Sequence, residues 1–165
     1  MALLKELSVT VKVKKPPFIK IEFISHGTLM SKNLKKSRRF YEEVLGFEVA
    51  EISPMAIWIR CGGDHVYVVV ETGKDQEMAQ LNHNGLDVAS NEAVDQAYEL
   101  LDSVKDDYGI KRIKKPHQQH GVYSFYFQDL DGNWWEIVSN PPGGYSSIFL
   151  KSIQNHSLSN VGRRP

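Results

Sequence analysis

ISHGTLMSKNLKKSRRFYEEVLGFEV, residues 24–49, carries the first decision about the fold. Leu34, Ser37, Phe40, Tyr41, Val44 and Leu45 recur at helical spacing, while Lys35, Lys36, Arg38, Arg39, Glu42 and Glu43 fall on the opposite side. This predicts an amphipathic helix over 34–44, capped at its start by Asn33 or Ser31 and ended by Gly46. Upstream, Ile19–Phe23 reads as a strand. Downstream, Phe47–Ile52, Ala56–Cys61 and His65–Val70 read as three short strands, separated by Pro54 and by Gly62, Gly63 and Asp64.

The order strand, helix, three strands then returns. Residues 81–88 supply a strand, and Asn91–Lys105 a helix with Val94, Ala97, Tyr98, Leu101 and Val104 inward. Gly109–Ile113, Tyr123–Asp129 and Trp134–Ser139 supply the remaining strands. His26 and His83 occupy equivalent places in the first strand of each copy. A unit of roughly 50–55 residues buries too little surface to stand alone, so two copies are expected to share one assembly. The predicted architecture is an α+β domain over residues 19–140, in modules of about 19–71 and 80–140. Residues 1–18 form an extension in which SVTVKVK, 8–14, reads as an edge strand stopped by Pro16 and Pro17. Residues 141–165 form a tail in which Tyr145–Leu150 is expected to pack back.

With 165 residues, 41% hydrophobic and 24% charged, the composition is that of a globular domain. Twenty Lys plus Arg balance twenty Asp plus Glu, which removes the global electrostatic argument for nucleic-acid binding. The single cysteine, Cys61, cannot close an internal disulfide. Lys5 and Glu6 interrupt the first apolar residues, so neither a signal peptide nor a membrane span is expected, and a cytoplasmic location follows.

Three segments together, 24–49, LNHNGLDVASNEAVDQAYELL at 81–101 and SFYFQDLDGNWWEIV at 124–138, resemble the vicinal oxygen chelate superfamily. That group contains glyoxalase I, fosfomycin-modifying enzymes, bleomycin-binding proteins and extradiol ring-cleaving dioxygenases. The resemblance implies two βαβββ modules pairing into a cupped mixed sheet around a divalent metal. Carried over position by position, it implies His26, His83 and Glu136 as metal ligands. The chemistry of the residues agrees: two imidazoles and a carboxylate suit Fe(II), Mn(II), Ni(II) or Zn(II), and leave coordination positions open, and the resemblance to extradiol dioxygenases implies Fe(II) foremost. Glu136 lies between Trp135 and Ile137, and a carboxylate turned away from both into a cup would call for a cation.

Glyoxalases carry a fourth ligand in the last strand of the first module. Here that strand reads HVYVVVETG, and Glu71, near its end, is the one carboxylate within reach. A three-ligand site favours the dioxygenase or fosfomycin-modifying type over the isomerase. Tyr126 is expected on the face of Glu136, where the resemblance implies a tyrosine beside substrate. His65 and His120, the latter in the PHQQHG loop, are the expected acid–base groups. The leading expectation is an Fe(II)-dependent extradiol-type dioxygenase acting on a small vicinal diol or catechol. A glyoxalase-like isomerase or lyase and a non-enzymatic bleomycin-type binding protein are the alternatives. The expected partners are a small-molecule substrate and a second copy in a homodimer, with neither nucleic acid nor membrane.

Overall fold

The first strand begins later than the alternation of its residues predicts. In the computed structural model, which describes residues 17–19 and 21–147, Ile19, Ile21, Phe23 and Ile24 are exposed and outside any strand, and β1 runs His26–Ser31. The partner sets this boundary. β1 pairs in parallel with β4 (Val66–Glu71) starting at His26↔Val66, and a strand persists only where a ladder satisfies its backbone groups.

Helix α1 follows at Leu34–Glu43, with Asn33 as N-cap accepting from the Lys36 amide at 3.0 Å. It buries Leu34, Ser37, Phe40 and Tyr41, the face the sequence predicts. Strands β2 (Glu48–Ser53) and β3 (Ala56–Arg60) complete a four-stranded sheet in the order β1-β4-β3-β2. The second module repeats the plan. A 3-10 turn at Gln80–Asn82 leads into β5 (His83–Asp87), and α2 (Asn91–Tyr108) is capped by Ser90 and closed by Gly109 at φ +69°. Then come β6 (Arg112–Ile113), β7 (His117–Gln119), β8 (Val122–Gln128) and β9 (Trp134–Ser139), in the order β5-β9-β8-β6 with β7 pairing β8. The chain therefore holds two βαβββ-like modules with mixed parallel and antiparallel sheets.

The second module also departs from expectation, with α2 running to Tyr108 rather than Lys105. The segment expected as a strand over 109–113 is strand only at Arg112–Ile113, and β7 occupies part of what reads as a loop. Trp135, Tyr41, Phe47 and Tyr67 meet edge-on or stacked in one aromatic core, with Tyr67 5.9 Å and Tyr41 6.1 Å from Trp135 between ring centroids. Residues of both modules build it, so the helix-covered faces of the two sheets share a core. A polar clasp reinforces the junction. Asp131, in the turn between β8 and β9, accepts from the Lys32 amide at 2.8 Å and the Ser37 hydroxyl at 2.5 Å, and Asn133 donates to the Met30 carbonyl at 3.3 Å.

Contacts divide the chain into Glu22–Ser139, which carries every element named above, and a second unit of Met1–Ile21 with Asn140–Pro165. In the second unit, the Gly144 amide donates to the Pro141 carbonyl at 2.9 Å, and Tyr145 is exposed. The strand expected at 8–14 lies outside the described residues, as do positions 148–150 of the expected Tyr145–Leu150 segment. Among the described residues no helix is long and apolar enough to cross a membrane.

Candidate metal centre

Strand parity decides which side chains meet on the face of the second sheet turned away from its helix. Trp135 and Ile137 enter the core, so Glu136 between them faces the other way, and Tyr126 lies directly across the ladder from it. β5 runs parallel to β9 with His83↔Trp134 and Gly85↔Glu136, which places His83 diagonally beside the carboxylate. The His83 Nε2 is 3.4 Å from Glu136 Oε2. The Tyr126 ring packs edge-on against the imidazole, 4.9 Å between centroids.

The hydrogen bonds behind this pair define its chemistry. His83 Nδ1 lies 2.8 Å from the Gln80 carbonyl, which only accepts, so Nδ1 carries a proton and Nε2 is the ring atom turned toward Glu136. Glu136 Oε1 accepts from the Ser124 hydroxyl at 2.7 Å, and Gln119 Nε2 stands at 3.4 Å. Glu136 is 5% exposed. His83 Nε2 and Glu136 Oε2 thus face one another across 3.4 Å, each side chain fixed from behind by a hydrogen bond, with the carboxylate buried and the imidazole partly exposed. Such an arrangement is unfavourable unless a proton or a cation sits between them.

A metal fits. Two ligand atoms each about 2.1 Å from one ion lie about 3.0–3.4 Å apart at octahedral or tetrahedral angles. The imidazole whose second nitrogen donates to a backbone carbonyl is the arrangement that orients metal-ligating histidines. Gly85 keeps the approach open, because a Cβ there would stand 3.9 Å from Glu136 Oε2 and any longer side chain would extend over it.

His26 does not join this pair. It occupies the first position of β1, exposed, with Nδ1 2.8 Å from the Ser25 hydroxyl, and the described residues contain no group of three His, Cys, Asp or Glu side chains able to hold a metal. The open face of the first sheet carries it, together with Thr28, Val68 and the half-exposed Trp58.

The registers also locate the fourth-ligand position. Glu136 pairs with Gly85, two residues after His83, and the residue paired two positions after His26 is Val68, opposite Thr28. The first-module counterpart of Glu136 is therefore a valine. Glu71 has the opposite parity and its Oε2 accepts from the Leu34 amide at 2.6 Å, capping α1 rather than facing the open side.

Of the other expected site residues, Tyr126 is at the pair. His65 is exposed, 3.1 Å from the Ile24 carbonyl, with its ring against Tyr67, whose hydroxyl donates to Asn84 on the core side. His120 stands exposed at the tip of the β7–β8 hairpin with φ +49°. Sequence reasoning passed over Gln119, Ser124 and Gly85. Ser124 was within reach of it, since an even separation from Tyr126 and Glu136 puts it on their face, whereas Gln119 becomes visible only once β7 is recognised as a strand.

Two βαβββ-like modules with mixed parallel and antiparallel sheets define a cupped fold. The chain belongs to the Glyoxalase/Bleomycin resistance protein/Dioxygenase superfamily, which matches residues 23–137. Among solved structures it is similar to the fosfomycin resistance protein FosX from Listeria monocytogenes, with 24% identity, TM-score 0.62, and coverage of 80% of this chain and 98% of that one. It is also similar to a glyoxalase/bleomycin resistance protein/dioxygenase from Nocardioides (21% identity, TM-score 0.58, 76% and 88% covered). Lactoylglutathione lyase from Agrobacterium tumefaciens shows 19% identity, TM-score 0.55, with 75% and 95% covered. These likenesses speak to the fold. No curated protein matches the chain.

Proposed function

We propose that the protein is a divalent-metal enzyme acting on a small substrate that binds through its oxygen atoms, with His83 and Glu136 of one copy and His26 of a second copy as the metal ligands. The observation that carries this reading is the opposition of His83 Nε2 and the buried Glu136 Oε2 at 3.4 Å, each side chain buttressed by a hydrogen bond, between which a cation fits. The second copy is inferred from the open face of the first sheet, which bears His26 beside apolar surface with Trp58 47% exposed.

When bound, the metal would supply Lewis acidity that lowers the pKa of a chelated hydroxyl and brings reactants together. Glu136 would hold one position by Oε2, His83 another by Nε2. Tyr126, packed on the His83 ring, would hydrogen-bond a substrate oxygen. Oxygen-dependent ring cleavage of a catechol-like diol with Fe(II) is the first reading of the reaction. Val68 at the fourth position and Glu71 at the α1 cap support it over the glyoxalase form.

A second reading, modification of an anionic substrate in the manner of the fosfomycin resistance proteins, is favoured by two cations near the start of β5. Lys114 lies over Trp134 and hydrogen-bonds Gln80, and Arg112 pairs with Glu77, around a cavity of about 350 Å³. The test is elemental analysis of protein purified without chelator, followed by anaerobic Fe(II) loading. Oxygen uptake with a catechol panel supports the first reading. Metal-dependent loss of fosfomycin without oxygen uptake supports the second. A wild-type protein that retains no metal after loading overturns both.

A further inference from the structure

The β7–β8 hairpin reaches the metal pair through one side chain that the functional reading does not use. Gln119, the last residue of β7, lies with Nε2 2.8 Å from the Tyr126 hydroxyl, 2.9 Å from Ser124 Oγ and 3.4 Å from Glu136 Oε1. A carboxylate oxygen without a proton only accepts, so the atom of the Gln119 amide turned inward is the NH2. Its two hydrogens serve the two short contacts. Ser124 gives its own proton to Glu136 Oε1 at 2.7 Å and so accepts from Gln119, while Tyr126 accepts the other hydrogen. One amide therefore ties the carboxylate, by way of Ser124, to the phenol.

Backbone geometry fixes this amide in place. Gln119 pairs with Val122 across a two-residue turn, His120 and Gly121, with φ of +49° and +86°. Left-handed φ at both central residues is the primed turn whose twist matches the strands and locks their register. A slip by one residue would carry Gln119 to the other face of the ribbon.

We propose that Gln119 is a positioning residue, fixing which oxygen of Glu136 is offered to a metal and holding the Tyr126 hydroxyl beside it. With Oε1 engaged by Ser124, and Ser124 oriented by Gln119, Oε2 alone is presented to His83, and the carboxylate binds through one oxygen. The proposal rests on the metal reading for its first half and on the hairpin alone for its second.

The experiment uses Co(II) as the probe, because its visible absorption reports coordination number and its uptake reports affinity. Gln119→Met keeps the shape and removes the donors. Its Co(II) affinity is expected to fall about tenfold, the size of effect typical of groups that orient metal ligands. Its visible band is expected to weaken as the released carboxylate binds through both oxygens. Should Gln119→Met fail to fold, Gln119→Ala on the same exposed hairpin carries the test. A folded variant with wild-type affinity and spectrum overturns the first half, since a merely structural glutamine would leave both unchanged. If the wild-type protein takes up no Co(II), the metal reading fails by itself. The second half is then decided in metal-free protein by hydrogen exchange of the Gln119 side-chain amide, followed by nitrogen-15 NMR. Exchange about tenfold slower than in a Ser124→Ala, Tyr126→Phe double variant supports it, and equal rates overturn it.

Discussion

Asp129 shows how one buried carboxylate sets a pH dependence. It is fully buried, receiving the Asp131 and Asn133 amides at 2.9 Å each, Trp135 Nε1 at 3.0 Å and the Tyr41 hydroxyl at 3.3 Å. Burial outweighs these donors and pushes its pKa up to about 6 from 3.8, with Asp131 nearby adding to the rise. A folded pKa above the unfolded one means that the folded state binds the proton more tightly. The contribution to stability is complete below pH about 4 and is lost as pH rises through about 6, a swing of about 3 kcal/mol if nothing else titrates. Asp129→Asn has no such proton, so the stability of wild type relative to the variant is expected to be greater at pH 4.5 than at pH 7.5. Urea titrations at both values check this, and a gap that is constant or widens toward pH 7.5 refutes it. Gly85 offers a residue-scale test of the site instead. Gly85→Val should fold as well as wild type, since valine suits a strand, yet lose at least about tenfold in metal affinity by covering Glu136 Oε2. Unchanged Co(II) uptake in that variant would remove the site from this face.

At the scale of elements, Glu71 is the informative case. Its carboxylate sits at the N-terminus of α1, where unpaired amides and the helix dipole both favour an anion. Glu71→Ala should therefore cost about 1 kcal/mol in stability and leave metal uptake unchanged, a combination that a fourth ligand could not produce. Thermal melts and metal analysis of the same sample read both. The two helices were legible in the sequence because their apolar periodicity is long and their caps are ordinary ones, Asn33 and Ser90. Beginnings and short strands were less so. Ile19–Phe23 alternates as well as β1 does, and only the ladder with β4 shows that pairing starts at His26. β7 has three residues, His117, Gln118 and Gln119, with no apolar alternation, and its existence depends on a turn whose first central residue is a histidine in left-handed geometry. Of the candidate site, the shared face of Tyr126 and Glu136 followed from parity and the family resemblance, their direct pairing is set by the β8–β9 register, and the buttress supplied by Gln119 required the hairpin.

For the whole molecule, the repeat made the number of modules readable but not how their open faces combine. His26 and His83 stand in equivalent registers, His26↔Val66 and His83↔Trp134, and that equivalence is the same whether the two histidines serve one chain or two. The aromatic core shared by Tyr41, Tyr67 and Trp135 binds the modules through their helix-covered sides, leaving the face with His26 apart from the pair it would complete. A site shared between copies makes a specific demand on mixtures. His26→Ala and Glu136→Gln homodimers should each hold less than about a tenth of the wild-type metal, by loss of one of three ligands. Refolded together in equal amounts, half of the dimers are mixed, and each mixed dimer has one site with His26 from one chain and His83 with Glu136 from the other. Metal content should then recover to about a quarter of wild type, as closed two-fold symmetry requires. Two affinity tags on the two variants confirm that mixed dimers have formed. Mixed dimers that stay as empty as their parents would refute the shared site and return the third ligand to the chain that holds the other two.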